Sequence, residues 1–267
     1  MIGAIVGDIV GSIYEYKNIK TKDFPLFQPY CEATDDSVMT LAIGQAILET
    51  REYPDMLGSQ AVQCMVRLGN RYPNAGYGGS FMKWLRKARY TKTPKPYNSY
   101  GNGGAMRVSP CGFAAASLEE ALKMARTVTE VTHNHPEGMK GAEATAAAVF
   151  LARTGKSKQE IRDYITGHYY DLSFTLDEIR PVYRYDVSAQ GTVPQALVAF
   201  LEGESFEDAI RNAISIGGDS DTVAAVTGGV AEAYWGVPED IRAQAEQFLD
   251  PHQRSLVHAF EKVFPGK

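Results

Sequence analysis

The sequence is poor in the features that mark secreted, membrane-embedded or nucleic-acid-binding chains. Only three cysteines occur, Cys31, Cys64 and Cys111, an odd and widely spaced set. They give no disulfide framework, match no zinc-ligand spacing and suit a reducing compartment. There is no surplus of positive charge: 27 Lys and Arg stand against 32 Asp and Glu, a net of −5 with the signs mixed along the chain. A basic face for nucleic acid is therefore not expected. No stretch is long and apolar enough to span a bilayer. The apolar start, Met1 to Ile13, has no basic leader and is interrupted by Asp8, so it does not read as a signal peptide. Strand-like alternation, internal repeats, domain linkers and low-complexity tracts are also missing. What remains is an ordinary globular composition, 44% apolar over 267 residues, a length that suits one large domain or two small ones. The expectation is a soluble, cytoplasmic, monomeric protein with one all-α domain of ten to thirteen helices.

Helical periodicity and end signals supply the elements. Residues 3–14 carry glycine at positions 3, 7 and 11, a spacing that puts all three on one helix face. Each glycine weakens a helix by about 1 kcal/mol relative to alanine, so three in line imply close backbone packing. Further helices are expected over 35–50, 55–70, from the 71–80 turn to Arg89, and over 137–153, 193–201 and 205–216. Others should run from the 217–222 stretch to Trp235, and over 238–248 and 253–263. Ser117-x-x-Glu120, Ser157-x-x-Glu160 and Thr175-x-x-Glu178 read as capping boxes opening helices near 118–132, 158–167 and 176–180. Thr91 to Pro96 reads as a loop, and Tyr169 to Tyr185 as tyrosine-rich and irregular.

Two acidic stretches dominate the chemistry. Gly217-Gly218-Asp219-Ser220-Asp221-Thr222 runs into a small apolar segment, and Thr34-Asp35-Asp36-Ser37 repeats the arrangement far upstream. Capping and dipole complement explain one acid at a helix start. Two adjacent acids, mirrored by a second pair, exceed that need. If the stretches meet, four carboxylates and several hydroxyls converge, and some acids should resist ionisation in the metal-free protein. A hard divalent cation such as Mg²⁺ or Mn²⁺ relieves that repulsion, because it prefers oxygen ligands.

Two glycine-rich loops, 71–80 and 98–107, could bring backbone close to a ligand or simply turn the chain. Neither matches a Walker or dinucleotide fingerprint. Thr132-His133-Asn134-His135-Pro136 places two histidines off a common helix face, which disfavours metal ligation and leaves hydrogen bonding to a ligand or loop. Glu15, at the end of the first apolar segment, reads on its own as a solvated surface acid.

Taken in order, Gly7-Asp8 with Gly11-Ser12-Ile13-Tyr14-Glu15, Thr34–Ser37, Gly76–Gly79, Ser99–Arg107, Thr132-His133 and Gly217–Thr222 resemble the ADP-ribosylglycohydrolase family, which includes the dinitrogenase-reductase-activating glycohydrolases. The resemblance extends from Gly3 to about Gly236. It implies an all-helical fold with two Mg²⁺ or Mn²⁺ ions in a central cleft, held by Thr34, Asp35 and Asp36 on one side and Asp219, Asp221 and Thr222 on the other. Glu15 matches the family's catalytic glutamate. Gly76, Gly78, Gly79 and Ser80, with Ser99, Tyr100, Gly101, Asn102, Gly103, Gly104 and Met106, would wrap the diphosphate and ribose. His133 would hydrogen-bond near the phosphates or the distal ribose.

The implied reaction is hydrolysis of the bond between ADP-ribose and an acceptor, an ADP-ribosylated protein side chain or small molecule, releasing ADP-ribose. The sequence does not separate arginine, serine, guanidine and acyl-ester acceptors, because no motif aligns across about 155–190. Two other readings stand beside this one. One is a catalytically silent ADP-ribose-binding or crystallin-like protein on the same fold, which the full complement of site residues disfavours. The other is a metal-dependent phosphohydrolase, which would release AMP instead.

Overall fold

The computed structural model describes residues 1–91 and 94–266. Lys92 and Thr93, in the stretch read as a loop, and Lys267 lie outside the described residues. The protein is all-α, a single domain with no strand among the described residues; one isolated antiparallel bridge joins Gly101 to Ser188. In chain order the helices are α1 (Ile2–Gly11), α2 (Asp35–Glu49), α3 (Leu57–Arg71), α4 (Gly79–Ala88), α5 (Ser109–Ala114), α6 (Leu118–Glu130) and α7 (Pro136–Arg153). They continue with α8 (Lys158–His168), α9 (Leu176–Ile179), α10 (Ala189–Glu202), α11 (Phe206–Ser215), α12 (Ser220–Trp235), α13 (Glu239–Ala245) and α14 (Pro251–Val263). Short 3-10 turns occupy Pro54–Met56, Asn102–Gly104 and Glu246–Phe248.

The count exceeds the expected ten to thirteen chiefly through α5, whose six residues contain Pro110 and Gly112 and are too short to show a helical period. The helix expected from Val193 begins at Ala189. Ser188 caps it by accepting from Gly191 N, and Pro194 is tolerated in its second turn. The capping boxes at Ser157 and Thr175 close reciprocally. The Ser117 pattern closes on one side only: Ser117 Oγ accepts from Glu120 N, while the Glu120 carboxylate accepts from Ala116 N at 2.7 Å.

Helix α12 runs through the middle, buried along nearly its whole length and packed against α1, α7, α10 and α11. Its small residues explain this position, since Ala, Gly, Val and Thr let neighbouring backbones approach. The closest approach is with α1. A Cβ at Gly7 would overlap the Ala224 carbonyl, and one at Gly11 would overlap the Asp221 backbone. The fourfold glycine spacing is thus the face that α1 presents to α12. This contact puts the C-terminal end of α1 beside the N-terminal end of α12, where the second acidic stretch lies.

Candidate active site

The two acidic stretches open two helices whose starts converge. Thr34-Asp35-Asp36 begins α2, and Asp219-Ser220-Asp221 begins α12. The turn before α12 needs Gly217 and Gly218, whose φ values of 68° and 81° strain any residue with a side chain. The two starts touch directly: Thr222 Oγ1 donates to Asp36 Oδ2 at 3.2 Å. Neither Thr34 nor Asp219 caps its own helix through its side chain. The cap of α2 comes from Asp8 in the middle of α1. Its carboxylate accepts from Thr34 N (2.8 Å), Ser37 N (3.0 Å) and both hydroxyls.

Burial dominates the electrostatics. Desolvation and then the neighbouring carboxylates hold Asp35, Asp36 and Asp221 well above the usual carboxylate range. Desolvation pushes Asp219 up to about 6, against the hydrogen bond from Asn102 Nδ2 (2.6 Å), and Asp8 up to about 6 against its four donors. Among the described residues no lysine or arginine forms an ion pair with any of these acids. Asp36 Oδ1 is buried with no hydrogen-bond partner. A buried, unpaired carboxylate oxygen in an all-oxygen surrounding is what a hard divalent cation satisfies. Two acid groups have oxygens mutually within 4.8 Å: Asp8, Asp36 and Asp221, and Glu15, Asp219 and Asp221. The acidic cluster can therefore hold metal.

Glu15 reaches this cluster from a turn beyond α1, against its reading as a solvated surface acid. Asn18 staples that turn to the α12 approach, accepting from Gly218 N (2.8 Å) and donating to the carbonyls of Gly218 (2.9 Å), Tyr14 (2.7 Å) and Glu15 (3.0 Å). Tyr185 Oη donates to Glu15 Oε1 at 3.0 Å. The acids form the floor of a cleft of about 650 Å³. Its walls include Gly76, Gly78, Gly79, Ser80, Ser99, Gly101, Asn102, Gly103, Met106 and His133, all anticipated from the sequence. Gly78 is the N-cap of α4, so the first amides of that helix border the cleft.

A sequence profile of the ADP-ribosylglycohydrolase family matches residues 1–265. The chain belongs to the ADP-ribosylglycohydrolase family. The human protein ADP-ribosylhydrolase ARH3 is 27% identical, with 98% of this chain and 93% of that one covered. ADP-ribosylarginine hydrolase Tri1 of Pseudomonas putida is 26% identical, covering 89% of this chain and 70% of that protein. A solved structure described as an ADP-ribosylglycohydrolase-related protein complex superposes with a TM-score of 0.73 at 23% identity, over 98% of this chain and 95% of that one. That likeness concerns the fold.

Within this ADP-ribosylglycohydrolase, two anticipated ligand contacts fall elsewhere. Tyr100 is 54% exposed, lies outside the cleft lining and sets its ring edge-on to His135. Gly104 is buried below the loop, where a Cβ would press on Thr129 and His133, so its role is close packing. Thr34 lines the cleft, but its amide and hydroxyl are both engaged by Asp8. Asp35 also lines it, outside both close acid groups.

Several residues that line or support the cleft were given no role from the sequence: Tyr16, Tyr97 and Tyr185 line it, and Asp8 and Asn18 support it from behind. Asp8 did carry a signal, since an acid inside Ile-Val-Gly-Asp-Ile-Val must either break the helix or serve something buried. Tyr185, 170 positions from Glu15, had none.

Proposed function

We propose that this protein is a divalent-metal-dependent hydrolase that cleaves the glycosidic bond between ADP-ribose and an acceptor, a modified protein side chain or small molecule, and releases ADP-ribose. The observation that carries this reading is the meeting of Glu15 with both acidic helix starts on the floor of a cleft walled by two glycine-rich loops. Two acid groups sharing Asp221 support a pair of Mg²⁺ or Mn²⁺ ions. Thr34, Asp35, Asp36, Asp219, Asp221 and Thr222 are the proposed holders, with Asp8 supporting Thr34 and Ser37 from behind. A divalent ion bound there supplies Lewis-acid polarisation of ligand oxygens.

The remaining work belongs to the chain. The 76–80 and 99–106 loops bring backbone close enough to hold the diphosphate and fix the distal ribose over the acids. Breaking the bond from the anomeric carbon to the acceptor heteroatom develops oxocarbenium character, which the surrounding carboxylates favour electrostatically. Glu15 handles the proton, taking one from the attacking water or delivering one to the leaving group. The pH profile of kcat separates these roles: a base loses activity on the acid side, an acid on the alkaline side.

The deciding experiment is a panel of ADP-ribosylated arginine, serine, guanidine and ester substrates incubated with Mg²⁺ or Mn²⁺. Intact ADP-ribose as product, lost with chelator and regained with metal, supports glycosidic cleavage. AMP as the product would transfer the site to phosphoanhydride chemistry. Full activity in a metal-free preparation would remove the metal from the reading.

A further inference from the structure

Behind the 101–104 loop lies a cation in an unusual setting. Arg107 is 1% exposed, and both acceptors of its Nη2 are neutral: the Val128 carbonyl at 3.1 Å and Thr132 Oγ1 at 2.7 Å. Thr132 is itself fully buried, and its Oγ1 lies 2.8 Å from His133 Nδ1.

The single hydroxyl proton of Thr132 then has few places to go. Arg107 is a donor only, so the hydroxyl accepts from it. The Thr129 carbonyl is 3.4 Å away and already accepts from the amides of Thr132 (3.1 Å) and His133 (2.8 Å). His133 Nδ1 is nearer and otherwise unfilled, so it receives the proton. A ring nitrogen that accepts carries no hydrogen, which leaves the imidazole proton on Nε2. That atom faces the glycine loop: a Cβ at Gly103 would lie 3.1 Å from it, and one at Gly101 3.7 Å. Both glycines and His133 line the cleft.

We propose that Arg107 is a positioning residue which, through the Thr132 hydroxyl, fixes His133 as the Nε2–H tautomer, a donor aimed at a ligand oxygen resting on the 101–103 loop. The titratable groups facing the ring are Arg107 and Tyr97, whose ring meets it edge-on at 5.7 Å. Burial, reinforced by the Arg107 charge, holds the His133 pKa well below its ordinary value, which agrees with a neutral ring. A donor whose proton is already in place needs no rearrangement when the ligand arrives, and its strength does not change where a free histidine would titrate.

The identity of the ligand oxygen rests on the proposed function, whereas the tautomer is a property of the free protein. The test therefore uses the whole chain with ¹⁵N-labelled imidazoles, assigned with His133→Gln. The tautomer is read from long-range ¹H–¹⁵N spectra between about pH 5 and pH 8. The expected result is an unprotonated Nδ1 and a protonated Nε2 across that range. Thr132→Val should mix or invert the tautomers and weaken ADP-ribose binding, measured by calorimetry, by about tenfold; Thr132→Ser should restore both. If Thr132→Val is too unstable to record, Arg107→Lys should loosen the tautomer in the same direction. An Nδ1–H ring or an imidazolium near neutral pH in the wild type overturns the proposal. So does a tautomer indifferent to both substitutions. The expected tautomer in a protein that fails to bind ADP-ribose would uphold the Arg107–Thr132 relay and overturn the proposed function instead.

Discussion

The floor and the rim of the cleft are built by opposite means. On the floor, Asp8, Asp36, Asp219 and Asp221 are each at most 5% exposed, and α1 and α12, which carry Asp8 and Asp221, touch backbone to backbone. On the rim, Tyr16 is 81% and Tyr185 48% exposed, and the two rings stack at 6.2 Å across segments that belong to no helix. The floor groups are close enough that small displacements change their electrostatics, and they have no side-chain layer to adjust through. The rim groups meet solvent and one another, so they can change with little cost to the fold. The physical division is between holding charges together and facing solvent. It also explains why the floor acids and the glycine loops of the walls were legible in the sequence, while Tyr16 and Tyr185 were not.

Substitutions can break or sharpen that contrast. The largest effect is expected from Gly7→Val, which drives a branched side chain into the Ala224 carbonyl. Loss of soluble folded protein, or of several kcal/mol of stability by chemical denaturation, is the expected outcome. A variant with wild-type stability would show that the α1–α12 contact yields easily. Next comes Glu15→Gln, which should lower turnover by ~10²–10⁴-fold while keeping the melting temperature and ADP-ribose binding. Unchanged kcat removes Glu15 from proton transfer.

A smaller effect concerns the floor acids without metal. Asp8 and Asp219 are raised to about 6 from 3.8, so the folded chain holds protons that the unfolded chain has released. Their contribution is intact below about pH 4 and lost as pH rises through about 6. Chelated protein should therefore melt lower at neutral pH than near pH 5, by a few degrees per kcal/mol. Added Mg²⁺ or Mn²⁺ should narrow the difference by favouring the ionised acids. A melting temperature that rises with pH in chelator would contradict the desolvation account. The smallest effect is expected at the rim: Tyr16→Ala should leave stability within about 0.5 kcal/mol and change KM among acceptors by a few-fold at constant chelator sensitivity. A large loss for every acceptor would move Tyr16 from the rim into the common machinery.

What the sequence made legible follows the same physics. The 34–37 and 217–222 stretches stood out because dense acids preceded residues that want burial, and Gly3, Gly7 and Gly11 because their cost in a helix needs a packing reason. Asp8 carried a signal but not its partners. Within an apolar segment it looked like an interruption, since its partners Thr34 and Ser37 lie far along the chain and nothing local predicts a cap supplied by another helix. Helix α5 was too short for periodicity. Tyr100 and Gly104 shared a loop with the residues that line the cleft, and only the fold shows that Tyr100 stands exposed before the 3-10 turn while Gly104 is packed beneath it. Asn18 ties the Glu15 turn to Gly218, 200 positions away, and Tyr185 meets Glu15 from 170 positions away, contacts that leave no pattern in sequence.

The overlap that a Cβ would suffer at Gly7 and Gly11 has a last consequence for metal choice. With no rotamers between the two backbones, α1 and α12 act as the jaws of a caliper, and any slip between them reaches Asp8 and Asp221 undamped. Tolerance for cations of different ionic radius would then depend on a glycine contact that lies one residue from Asp8 and directly against the Asp221 backbone, as well as on the ligand oxygens themselves.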